Sequence, residues 1–318
     1  MATIGGIGAG VGGVTLGSVL GEWYVGATAL VAATFLFWGG YLLAMRSRGG
    51  PDFRHWLAAT TGMTFWLILL GIYTAAGGYG LTCEARWPLC DGAVFGLFPA
   101  HWPSFVEWFH RLIAMVGGLL ILGVTLAAWR GGRSRGIRLS LLAATLVLPS
   151  QIVLGALTVT AYEVAILTAH FATAMAIFAL LVAATAWSFD VGTTPRYRLA
   201  AGATGVGALV AGLALTPDLL VAPALGPQIA YYGLGLAAFC ALLALALWTP
   251  VRRVRLLAGA ATATLVVQLL LGRLWLTGDT GLVLAGLGVL LLGLAGLALR
   301  LDREAAAAIA SGPAVSAD

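Results

Sequence analysis

The chain has 318 residues, of which 61% are hydrophobic and 9% charged, and its mean hydropathy is +0.99. A soluble domain has no way to cover that much apolar surface, so composition excludes a water-soluble enzyme. A hydrocarbon core of ~30 Å needs about 20 apolar residues per helix, and the chain supplies such runs repeatedly. The net charge of +5 comes with 17 basic residues, all arginine. Their spread over many short loops orients membrane spans rather than forming a nucleic-acid surface, so no nucleic-acid partner is expected.

The opening stretch MATIGGIGAGVGGVTLGSVLG is too Gly-rich to read as a span. It lacks the basic start of a secretory signal and the arginines of a transit peptide, which points to a prokaryotic cell membrane. Nine spans are expected, near 23–45, 56–76, 105–129, 138–160, 163–189, 197–216, 225–248, 253–277 and 280–300. The fold class is therefore an all-α, multi-pass membrane protein. The loops after the first, third, fifth, seventh and ninth spans hold fourteen of the arginines, leaving Arg86, Arg111 and Arg273 toward the other side. The positive-inside rule then places the N-terminus outside and the C-terminus in the cytoplasm.

This topology leaves one long outer loop, 77–104, with Cys83 and Cys90 in it. Disulfides persist on that side of the membrane, so a Cys83–Cys90 bridge is the expectation, either as a staple or as a redox pair. Cys240 lies mid-span and reads as packing. The next span opens SFVEWFHRLIAMVGG, which puts Glu107, His110 and Arg111 in its first turns. His170 lies at a similar depth in AILTAHFATAM, entering from the same surface. Ionisable groups inside spans are costly and mark function. Two neutral imidazoles at matched depth on facing helices are what a bis-histidine haem needs, whereas a lone one would more often be packing.

Glu107 shares a face with His110 at i, i+3 and reads as an N-terminal charge, a partner for Arg111 or a catalytic acid/base. Arg111 could meet a haem propionate or snorkel to the interface. His55 sits beside an arginine cluster and reads as solvated. His101, in the outer loop, is either loop structure or the rim of a site. Gln151 and Gln268 are intramembrane amides suited to interhelical hydrogen bonds.

Cys83-x6-Cys90 with WPLC and Gly92, Glu107-x-x-His110-Arg111, QIVLGALTV at 151–159 and His170 together resemble the haem A synthase family, bacterial and mitochondrial. The resemblance covers about 55–190. It implies two similar four-helix halves, and QLLLGRLWL at 268–276 does echo QIVLGALTV. The expected organisation is a Gly-rich start and extra N-terminal helix (1–48), an N-terminal half (49–190), a C-terminal half (191–304) and a cytoplasmic tail (305–318). The resemblance further implies oxidation of a ring methyl of haem O to the formyl of haem A. His110 and His170 would ligate the substrate haem, Arg111 would contact it, Glu107 would act near the methyl, and Cys83–Cys90 would be the outer disulfide. Implied partners are membrane lipid, a haem O synthase, an electron donor and a terminal oxidase.

The sequence departs from the family at one point. No histidine follows His170, and the position where a second pair would hold a haem b cofactor falls in PQIAYYGLGL, with Gln228, Tyr231 and Tyr232. That second haem is expected to be absent or held by other residues. A membrane haem-binding or delivery protein is one alternative reading, and a one-haem electron carrier exchanging with quinol is another.

Overall fold

The computed structural model describes residues 40, 52–84, 86–87, 90, 93–94, 98–99, 101–161, 163–189, 194–216, 225–273 and 279–310. Eight helices among them are long and apolar enough to cross a membrane: α1 (Phe53–Ala76), α2 (Trp102–Arg130), α3 (Arg135–Thr160), α4 (Val164–Ser188), α5 (Pro195–Ala214), α6 (Leu225–Trp248), α7 (Arg252–Arg273) and α8 (Asp279–Ala310). The chain is a multi-pass helical membrane protein. The expected extra helix at 23–45 lies outside the described residues, Gly40 apart.

Local signals set the helix ends. Asp52 caps α1 and forms a reciprocal capping box with His55, so His55 serves a helix start rather than being merely solvated. Prolines 103 and 195 sit in the first turns of α2 and α5, where the missing N–H costs nothing. Helix α8 continues well past residue 300 to Ala310, into the segment expected to be a tail. The AAAA run at 305–308 favours helix, and Arg300 pairs with Glu304 at i, i+4 and 2.8 Å.

The first four helices form a closed ring. Each of α1–α4 packs on its two neighbours in the order α1–α2–α3–α4–α1, while the diagonal pairs share no substantial interface. Helices α5–α8 form a second ring in the same order. The rings join through α1 and α4 against α6, and α4 against α7, around Phe171, Phe178, Tyr232 and Phe239. Between apolar helices polar side chains act as glue. Thr61 bonds Thr185 at 2.7 Å, Thr125 bonds Thr145 at 2.9 Å, and Trp248 Nε1 donates to the Ala186 carbonyl across the two rings at 2.9 Å.

Arg198 departs from its expected place in a cytoplasmic loop. It is 2% exposed and pairs at 3.2 Å with Asp302, which is fully buried and also accepts from Thr249. A buried charge persists only when paired, and this network ties α5, the end of α6 and α8 together.

Candidate functional site

The link from α1 to α2 returns through a turn of 3₁₀ helix at Tyr79–Leu81 and a two-residue hairpin, β1 (Ala93–Val94) and β2 (Phe98–Pro99). Glu84 takes a left-handed φ of 53° just after Cys83, turning the chain back so that Cys83 and Cys90 join in a disulfide. Cys83 is buried, and a Cys90 sulfur lies 3.7 Å from the Ser104 carbonyl. Ser104 Oγ donates to the Thr82 carbonyl at 3.0 Å, so the bridged loop is seated on the first turns of α2.

Those turns carry the charged cluster. Glu107 is 5% exposed and accepts from Arg111 Nε at 2.8 Å. Arg111 Nη1 also donates to the Arg86 carbonyl at 2.9 Å, locking loop and helix into one unit. The ion pair with Arg111 is one of the readings open for Glu107. His101 is the exposed residue preceding α2 and makes no side-chain cap.

His110 and His170 sit on α2 and α4, a diagonal pair of the first ring. Helix α2 starts earlier than expected, so His110 is eight residues in (110 − 102) and His170 is six (170 − 164). At ~1.5 Å per residue these are ~12 Å and ~9 Å along their helices. Each lies against a glycine of the neighbouring helix: His110 on Gly71 of α1, His170 on Gly155 of α3. His110 Nδ1 is buried without a hydrogen-bond partner, an arrangement that calls for an explanation. Among the described residues no three His, Cys, Asp or Glu side chains gather as a metal-ion site.

Gln151 belongs to this site, beyond the general interhelical role expected for it. Its Nε2 is 3.4 Å from His170 Nε2, and the Thr173 hydroxyl donates to its carbonyl oxygen. With the amide so turned, its NH₂ faces His170 Nε2, which presents a lone pair. That hydrogen bond occupies the lone pair through which Nε2 would ligate iron, so ligation there would require the amide to give way. The sequence signal was the i, i+4 spacing of Gln151 and Gly155, which places both on the face of α3 that meets α4.

In the second ring Gln268 Nε2 donates to Tyr231 Oη at 3.1 Å, and Tyr232 Oη lies 3.4 Å from the Leu269 carbonyl. A cavity of about 20 Å³ lined by Leu209, Tyr231, Gln268 and Leu291 has room for about one water molecule and none for a macrocycle. Cys240 packs against the central cluster, as expected.

Residues 100–230 match a family model described as a cytochrome oxidase assembly protein, COX15-CtaA. Heme A synthases of Bacillus licheniformis (29% identical over 136 residues, 42% of this chain and 44% of the relative) and Geobacillus kaustophilus (26% over 144 residues, 44% of each) are similar to the chain. The likeness to the haem A synthase family runs over residues 100–230 of the chain. The protoheme IX farnesyltransferase of Halobacterium salinarum is also similar, 36% identical over 138 residues, 43% of this chain and 29% of that protein. Each match spans less than half the relative's length, and no solved structure matches.

Proposed function

We propose that this protein belongs to the haem A synthase family and is a membrane oxidoreductase that converts haem O to haem A, the ring methyl becoming a formyl group, for a terminal oxidase. The observation that carries the reading is the placement of His110 and His170 on diagonally opposed helices of one four-helix ring. Both groups of relatives carry a haem in their names, protoheme IX in one and heme A in the other, which supports haem as the ligand whichever reaction follows.

The residues present fit a haem. Two imidazoles on diagonally opposed helices each lie against a bare glycine, where a Cβ would make a tight contact, and one carries an unsatisfied ring nitrogen. His110 and His170 would hold the iron of the substrate. The Glu107–Arg111 pair, one turn from His110, marks the polar edge, and Arg111 suits a propionate. His170 has Leu167 and Phe171 at the corresponding positions, an apolar edge suited to the isoprenoid tail. Glu107, held by Arg111, is a positioned proton acceptor near that polar edge. Converting methyl to formyl removes hydrogen and adds oxygen, so it requires a redox partner outside this chain. The proposed orientation has the N-terminus outside and the C-terminus in the cytoplasm, with the imidazoles nearer the outer surface.

The test is to purify the protein after co-expression with a haem O source, extract the bound haem and weigh it. Haem A, or its hydroxylated precursor, supports the synthase; no haem at all overturns the site. Glu107→Gln should keep the haem and lower conversion by about 10²-fold or more, scored by product mass per bound haem. A second reading, haem binding and delivery without conversion, is favoured by the second ring, which offers no imidazole. Haem O retained unchanged in the presence of a reductant and oxygen would select it.

A further inference from the structure

We infer that Gly71 and Gly155 are positioning residues that set the ring planes of His110 and His170. The inference rests on the haem reading and deepens it. A Cβ built on Gly71 would lie 3.0 Å from His110 Cε1, 3.5 Å from Nε2 and 3.7 Å from Nδ1. A Cβ on Gly155 would lie 3.2 Å from His170 Cε1, 3.8 Å from Nδ1 and 3.9 Å from Nε2. In both seats Cε1 is the nearest atom, so each imidazole presents the same edge to a bare helix backbone. Other glycines of the same ring behave differently. Gly117 would place its Cβ 3.5 Å from Leu67, and Gly118 and Gly123 would meet nothing within 4 Å.

The two seats repeat in sequence. Gly71 lies in Leu70-Gly-Ile-Tyr-Thr74 and Gly155 in Leu154-Gly-Ala-Leu-Thr158. Their imidazoles open His110-Arg-Leu-Ile-Ala-Met115 and His170-Phe-Ala-Thr-Ala-Met175. One helical hairpin with a glycine on its first helix and a histidine on its second therefore occurs twice around the ring. An imidazole is a rigid plane, and a ring pressed edge-on against backbone can yield to a methyl group only by turning about χ1 or χ2. Helix interiors favour alanine over glycine, so each glycine is explained by what it touches rather than by helix formation. Groups that orient a metal ligand govern its affinity and spectrum without touching the metal.

The test compares wild type, Gly71→Ala, Gly155→Ala and the control Gly117→Ala, purified with haem bound. The readouts are the low-spin ferric resonance spectrum, the reduction potential and haem retention. Gly71→Ala, the tighter seat, should shift the largest g value and weaken haem retention about tenfold; Gly155→Ala should shift the same signals less. Gly117→Ala should reproduce wild type. Should Gly71→Ala fail to fold, Gly155→Ala carries the comparison. A wild-type bis-imidazole signal that the alanine variants reproduce overturns the glycine inference alone. A wild type with no such signal overturns the haem reading and this inference with it.

Discussion

The two rings share one plan and fill it differently. Each is four helices packed in cyclic order with open diagonals. In the first, helix-embedded glycines receive imidazoles, Gly71 taking His110 and Gly155 taking His170. In the second, Gly235 and Gly288 receive leucines, a Cβ falling 2.7 Å from Leu269 and 2.5 Å from Leu213, while Gly272, the counterpart of Gly155, receives the Tyr232 hydroxyl at 3.1 Å. The matching glutamines diverge too, Gln151 facing a histidine and Gln268 a tyrosine. The same glycine-lined ring thus takes imidazoles in one half, and leucines and a tyrosine in the other. The second ring reads as the scaffold against which the first is held.

The sharpest way to break this comparison is to remove the imidazoles. His110→Ala or His170→Ala should cost at least about 100-fold in haem retention, since changes one step removed from a metal already cost 10–100-fold. Tyr231→Phe, the second-ring control, should leave haem content unchanged. Haem-to-protein ratios after purification check both, and haem retained by either alanine variant would show that the seats hold something else.

Stability should separate the rings in the opposite sense. Arg198→Ala leaves Asp302 fully buried without its cation, which costs about 3–5 kcal/mol. Denaturant unfolding in detergent should register that loss, while the visible spectrum of the folded fraction stays that of wild type. A haem spectrum that moves with Arg198 would mean that the rings are not divided into site and scaffold. Within the first ring, Cys83→Ser with Cys90→Ser should cost a smaller ~2–3 kcal/mol, because the bridge closes only a short loop.

How far these roles were legible in the sequence follows from where their physics lives. Apolar runs of membrane length are a one-dimensional signal, so α1–α8 could be read within a few residues. The end of α8 was missed because its last turns are polar and alanine-rich rather than apolar. His110 and His170 stood out because ionisable groups in a span are rare. Arg198 was misplaced because its partner is 104 residues away, and a pairing at that distance leaves no local trace. Gly71 passed unnoticed for a related reason. A glycine in a membrane helix is ordinary until the ring it supports is known.

The finest test uses the two glutamines, which occupy equivalent places in the repeated QIVLG and QLLLG segments. Gln151→Leu removes the amide that meets His170 and Thr173, and Gln268→Leu removes the one that meets Tyr231. Interhelical hydrogen bonds in membranes average about 0.6 kcal/mol, so both variants should fold and melt close to wild type. Only the first should change the haem. With Gln151 gone no N–H occupies the lone pair of His170 Nε2, and ligation there would break no hydrogen bond. Haem uptake by Gln151→Leu should therefore quicken or tighten several-fold in a titration of the apoprotein, while Gln268→Leu takes up haem as wild type does. Equal effects from both substitutions would mean that the amides serve only to join helices, and that the chemical difference between the rings rests on the histidines and their glycines alone.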